Sequence, residues 1–202
     1  MNSIHSSSKN ETARLFQSNF CEFFTKVHPA TPLIYLPFLI YLFYLSVTNP
    51  LLSWLRIFVF LMGGFLFWTL FEYFFHRFLF HFSPRGAYSK KLLYLFHEVH
   101  HDYPNDAKRL VMPPIVSLPF ALFFYFLFQW FLGSLDSKAF YVGFGLGYLL
   151  YDLLHYAIHH ISIPGNLFSY LKRNHLTHHY KKQNQQFGVS YPLWDFVFNT
   201  YY

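Results

Sequence analysis

Four long stretches with almost no charged side chain constrain the fold of this chain more than any other feature. From Thr31 to Leu55 no charged residue occurs; Arg56 intervenes, and Ile57 to Phe71 is again uncharged. A third apolar run extends from Met112 to Asp136, and a fourth from Ala139 to Tyr151, continuing into Leu153 and Leu154. Only 12% of the 202 residues are charged and 54% are hydrophobic. The charged share is about half that of an ordinary soluble domain. A soluble fold of this length would leave a large apolar patch in water. The expectation is an all-α integral membrane protein, a four-transmembrane-helix bundle.

The segments differ in quality. Leu33 to Val47 is short for a span, whereas Trp54 to Phe75 has about the ~20 residues that a bilayer core requires. Asn49-Pro50 marks a turn between them. Pro113, Pro114 and Pro119 fall in the first part of the third segment, where a helix start tolerates proline best. Gly143, Gly145 and Gly147 offer either a small face for close helix packing or mere filler.

Charge orients the bundle. Thirteen of the fifteen Lys and Arg lie in Met1 to Pro32, His76 to Met112, or His160 to the end, while Arg56 and Lys138 flank the short connections. Four spans with both termini in the cytosol satisfy the positive-inside rule. The basic residues do not cluster as a nucleic-acid surface would. Single Cys21 excludes an internal disulfide and a thiolate cluster. No secretory signal pattern opens the chain. Instead Leu15, Phe16, Phe20, Phe23, Phe24 and Val27 recur at helical spacing, which suits an amphipathic cytosolic segment over residues 1–30 or an ordinary packed helix.

Histidine carries the chemistry. Eleven of thirteen histidines fall into the groups His76/His81, His97/His100/His101, His155/His159/His160 and His175/His178/His179. The first two follow the second span and the last two follow the fourth, so all converge on the cytosolic side. His155 and His159 share one helix face. Each HxxHH group contains an i,i+3 and an i,i+4 pair, and its adjacent histidines diverge by about 100°, so it can serve two neighbouring ions. The step from His76 to His81 fits one α-helical face poorly. Ten histidines suit two ions of about five ligands each, since a structural zinc needs only four. Imidazole alone does not select the metal; a paired site that reacts with O2 favours two Fe ions. Glu72, Glu98 and Asp152 are the acids near the clusters. His97 to His101 also matches the HExxH pattern of zinc proteases, but a protease would leave most of the grouped histidines without a role.

His76 to His81, Phe96 to His101 with Pro104 and Asp106, and Arg109 to Pro114 resemble the fatty acid 2-hydroxylase branch of the fatty acid hydroxylase/sterol desaturase superfamily. So do Tyr151 to His160, Lys172 to Tyr180, and Phe187-Gly188-Val189 leading to Trp194-Asp195. The resemblance runs from His28-Pro29 to the C-terminus, which makes 31–202 the hydroxylase membrane domain. It implies a cytosolic helical cap holding a dimetal site, with ligands His76, His81, His97, His100, His101, His155, His159, His175, His178 and His179. His160 matches a position behind the ligands, and His5 and His28 match none. Two Fe ions are the implied cofactors, and Zn can substitute in purified protein. The implied reaction is O2-dependent hydroxylation at C2 of a fatty or sphingolipid-linked acyl chain, a step in lipid biosynthesis. Desaturation or a sterol- or carotenoid-type oxidation occurs on the same ligand set.

The chain departs from the family pattern in two places. Glu98 stands where eukaryotic members often have Gly. Only about thirty residues precede the first span, too few for the cytochrome b5 domain that many members carry. A separate electron donor is expected: cytochrome b5, a ferredoxin or a reductase. Lys90, Lys91, Lys172, Arg173, Lys181 and Lys182 could dock it, or could equally set topology or meet anionic lipid. A bacterial inner membrane and the endoplasmic reticulum both fit.

Overall fold

The structure, a computed structural model, describes residues 12–202. Among them every regular element is helical. α1 (Asn19–Phe23) is followed by a 3-10 turn (Thr31–Tyr35) that runs directly into α2 (Leu36–Val47). α3 (Trp54–Phe74) begins at Ser53, whose hydroxyl accepts from the Arg56 amide at 3.2 Å, a serine N-cap. Its 21 residues make a rod of about 31 Å, close to the thickness of a bilayer core. After a π-helical turn (Phe75–Phe80), the cap is built from α4 (Ala87–Leu93), a second π turn (Tyr94–Glu98) and α5 (Val99–Asp102). The long α6 (Pro114–His160), α7 (Asn166–Tyr180) and α8 (Leu193–Val197) complete the chain.

α6 is two helices. Gly133 has φ 72° and ψ 170°, a conformation that glycine adopts most easily. On one continuous helix, twenty residues would span about 30 Å. Instead the Tyr141 hydroxyl donates to the Ala121 carbonyl at 3.1 Å, and the Phe128 and Phe140 rings lie 4.8 Å apart. The arms 114–132 and 134–160 therefore fold back on each other. The reversal comes earlier than charge alone suggests, because Gly133 supplies the left-handed backbone a tight turn needs. Asp136 consequently sits inside the second arm, where both carboxylate oxygens accept from Arg56 at 2.7 Å and tie that arm to the start of α3.

Glycine brings the second arm against α3. A Cβ at Gly143 would lie 1.8 Å from the Leu61 carbonyl oxygen, and one at Gly64 would lie 1.9 Å from that of Phe140. A Cβ at Gly147 would lie 2.6 Å from the Trp68 side chain of α3, and one at Gly145 2.6 Å from the Leu39 side chain of α2, so these glycines form a packing face. Trp54–Phe80 and Pro114–His160 are long and apolar enough to cross a membrane, while Thr31–Val47 is shorter. Phe58, Trp130 and Phe131 turn outward, more than half exposed, as side chains facing lipid would.

The amphipathic N-terminal helix shrinks to Asn19–Phe23. The cause is Glu22, whose Oε2 accepts the Leu15 and Phe16 amides at 2.9 and 3.0 Å and bends the preceding chain back onto the cap. Phe20 and Phe23 point outward while Glu22 is buried.

Candidate metal centre

The cap and the bundle ends assemble ten histidines into two groups. His76, His81, His97, His101 and His178 form one; His100, His155, His159, His175 and His179 form the other; within each, the candidate ligand nitrogens lie within 4.8 Å of one another. Each HxxHH segment is divided between them. Its i,i+4 pair enters one group and its middle histidine enters the other, so His97 and His101 sit with His178 while His175 and His179 sit with His100. The groups touch, because the His101 and His179 rings stack at 4.2 Å. All ten expected residues are brought together. His28 is exposed, His160 stacks on Tyr156 outside both groups, and His5 lies outside the described residues.

The five-residue step from His76 to His81 is accommodated by the backbone. Residues 75–80 form a π-helical turn, and the His81 amide donates to the His76 carbonyl at 3.2 Å. Widening the turn puts i and i+5 on one face, an arrangement frequent at functional sites.

The nitrogen geometry fits a cation. In the first group, His76 Nε2 lies 3.1 Å from His97 Nε2 and 3.3 Å from His81 Nε2; His101 and His97 are 2.9 Å apart. In the second, the His155–His100, His175–His159 and His179–His175 Nε2 separations are each 3.0 Å. Ligands about 2.1 Å from a metal and at right angles to each other stand about 3 Å apart. His76 Nδ1 lies 2.6 Å from the Phe187 carbonyl and His178 Nδ1 lies 2.7 Å from that of Gln185. A carbonyl only accepts, so both Nδ1 atoms carry the proton and both Nε2 lone pairs face the centre. Burial keeps the rings neutral. It pushes the pKa of His178 down to about 4, and burial with the neighbouring His178 and His101 pushes His81 down to about 2. His97, His100, His101, His175 and His179 are lowered by burial first and by adjacent histidines second.

The loop that supplies these carbonyls is held by acids. Glu72 accepts the Val189 and Ser190 amides at 2.7 and 2.8 Å and the Ser190 hydroxyl at 2.6 Å. Asp195 accepts the Phe187 and Gly188 amides at 2.9 and 2.8 Å. Gln186, between the two carbonyls that accept from His76 and His178, has φ 61°. Asp195 and the two carbonyls escape a reading by residue type, since an acid that caps a distant loop has no spacing signature and a backbone oxygen has no residue identity. Glu98 is exposed and outside both groups, so the HExxH match does not place its carboxylate at the centre.

The family model for fatty acid hydroxylases matches residues 61–200. A dihydroceramide fatty acyl 2-hydroxylase of Arabidopsis thaliana is 36% identical over 191 residues, which cover 94% of this chain and 80% of that protein. The fatty acid 2-hydroxylase of Rattus norvegicus is 35% identical, and a ceramide very long chain fatty acid hydroxylase of Schizosaccharomyces pombe is 40% identical. The match covers 93% and 94% of this chain but only 56% and 55% of those two longer proteins. A solved structure described as full-length scs7p, with only its hydroxylase domain visible, superposes with a TM-score of 0.86 at 36% identity. The superposition covers 91% of this chain and 70% of that one.

Proposed function

The chain belongs to the fatty acid hydroxylase family, and from that premise we propose that its two histidine groups hold two iron ions for hydroxylation of a lipid acyl chain at C2. One observation carries this reading: ten imidazoles converge as two touching sets of five. Similarity to 2-hydroxylases supports the position of attack. The relatives are named for dihydroceramide, ceramide and fatty acid substrates, and the substrate class here is a long-chain acyl lipid.

Bound iron would supply the activation of O2. One oxygen atom enters the C2–H bond, and the other leaves as water with two electrons and two protons from a separate donor. The protein supplies position and dryness. Phe187 and Gln185 carbonyls fix the tautomers of His76 and His178. Phe80 lies flat against His97 at 4.5 Å and shields that ring from water. Residues 31–202 form the catalytic unit, and residues 12–30 a segment laid across its cap. We read Thr31–Val47, α3 and the two arms of α6 as four spans, with the centre on the cytosolic face of the endoplasmic reticulum or of a bacterial inner membrane. The charge distribution supports that topology.

Replacing His159 with alanine removes one ligand of the second group. The expected outcome is loss of iron from the purified protein together with loss of 2-hydroxylated lipid, read by metal analysis and lipid mass spectrometry. Full iron content with full hydroxylation would refute the assignment.

A further inference from the structure

Two cavities meet at the histidine groups, and they differ in character. The cap cavity, about 200 Å³, is roofed by Leu15, Phe16, Phe24 and Thr25 of the N-terminal segment and reaches His97, His100 and His155. It therefore touches both groups. The bundle cavity runs between the helices past Trp68, Phe71, Phe124 and Phe144 and reaches only His76. Tyr35 pairs with Ser117 at 2.6 Å, Tyr141 donates to the Ala121 carbonyl, and Glu72 is taken up by Val189 and Ser190. The Tyr148 hydroxyl and the Trp68 indole nitrogen make no hydrogen bond among the described residues, and the rest of the lining presents mostly carbon. Phe80, Met112 and Tyr151 line both cavities and form the partition between them.

C2 of an acyl chain is the first carbon beyond the polar carbonyl. A centre that attacks C2 belongs at a boundary between a space that accepts a polar head and one that accepts only hydrocarbon. Resting on the functional reading above, we infer that the substrate site is bipartite. The head lies in the cap cavity beneath the N-terminal segment, C2 lies at the Phe80–Met112–Tyr151 partition, and the rest of the chain runs into the bundle toward Trp68. From His76 to Trp68 is two turns of helix, about 12 Å along the axis, so the tail is led away from the centre into the membrane. The ligand is a long acyl chain that ends in a polar carbonyl head.

The roof is fastened to the cap by a buried cation. Arg109 donates to the Thr25 hydroxyl at 2.7 Å and bonds Glu22 and the Ala13 carbonyl, and its side chain is only 3% exposed. The Val27 amide adds a bond to the Lys108 carbonyl at 2.9 Å. A segment that walls a cavity at the centre and is anchored by buried charge acts as a determinant of which head group fits. Its outward Phe20 and Phe23 give the same segment a face for the membrane surface.

Tryptophan fluorescence tests the placement on the iron-loaded full chain in detergent. Saturated acyl probes carry bromine either at the chain end or at C3, each made both as a free acid and as a dihydroceramide. Chain-end bromine is expected to quench a component that disappears in Trp68→Phe, and C3 bromine is expected to quench it less. The head form that gives this order identifies the source of the chain. Equal quenching at both positions, or none of the Trp68 component with either form, overturns the placement. A second variant, Ala121→Phe, fills the bundle cavity, and the ratio of long-chain to short-chain turnover should fall about tenfold at unchanged iron content. A loss uniform across chain lengths counts against the inference. If the protein binds the probes in this order yet leaves C2 unhydroxylated, the functional reading fails while the placement stands.

Discussion

Gln186 sits at φ 61° between two carbonyls that serve different histidines. A left-handed residue there turns successive peptide units so that Gln185 faces His178 and Phe187 faces His76. The conformation costs on the order of 1 kcal/mol in a non-glycine residue and is maintained by its surroundings. Those surroundings are Glu72, Asp195 and the bond from the Gln186 amide to the Thr200 carbonyl at 2.9 Å. Glu72→Ala removes the acceptor for three donors of this loop and releases His76. Metal affinity is expected to fall roughly 10–100-fold, as for other partners behind metal ligands; competition with a chelator measures it, and unchanged affinity would mean that the loop does not orient the ring. The same histidines set an acid limit. A histidine in the unfolded chain titrates near 6.5, whereas buried His178 stays neutral down to about 4 and His81 to about 2. As pH falls below 6.5, the unfolded chain takes up protons that the folded metal-free site refuses, so stability falls with pH. Melting of the metal-free protein in detergent should drop between about pH 7 and about pH 5, and bound metal should raise the melting temperature without removing the drop, because ligated imidazoles refuse the same protons. A flat melting temperature would contradict it.

Helices translate these residue-level demands into a scaffold, and glycine decides how closely they approach. Gly143 and Gly63 both lie at the crossing of α3 with the second arm of α6, but a Cβ at Gly143 would strike the Leu61 backbone at 1.8 Å, whereas one at Gly63 would rest 3.4 Å from the Phe140 ring. Gly143→Ala should destabilise by about 1–3 kcal/mol through overpacking. Gly63→Ala should be neutral or gain, because alanine favours a helix by about 1 kcal/mol over glycine. Thermal unfolding of the pair reads the contrast, and equal effects would discount the crossing. The elements show what a sequence carries. The apolar runs, the convergence of the histidines and the division of each HxxHH group were legible, because hydrophobicity and α-helical spacing are local properties. The π turn was visible only as a misfit between His76 and His81, since sequence records the spacing that must be met and not the backbone that meets it. The reversal at Gly133 was hidden because charge pointed to Asp136 and Lys138, and Asp136 instead pairs across space with Arg56. Glu22 shortened α1 by a contact with no sequence period.

At the scale of the whole molecule, the histidine end also carries most of the charge. Arg56 and Asp136 satisfy each other at the opposite end of the bundle, while Lys90, Lys91, Arg173, Lys181 and Lys182 are exposed on the cap. Lys181 and Lys182 immediately follow α7, the helix that contributes His175, His178 and His179. An acidic donor attracted to them would approach along the face nearest the centre. Long-range attraction of this kind speeds encounter and weakens with salt, because the screening length is about 10 Å at 0.1 M. Lipid headgroups compete for the same charges, and kinetics separates the two roles. Lys181→Glu with Lys182→Glu should slow reduction by a soluble acidic donor by about tenfold at low salt, with the difference closing as salt rises. Iron content and reduction by a small uncharged reductant should not change, since neither residue belongs to a histidine group. Stopped-flow reduction across a salt series makes the measurement. Equal rates for the wild type and the double variant at low salt would remove the docking role and leave these lysines as topology and headgroup charges.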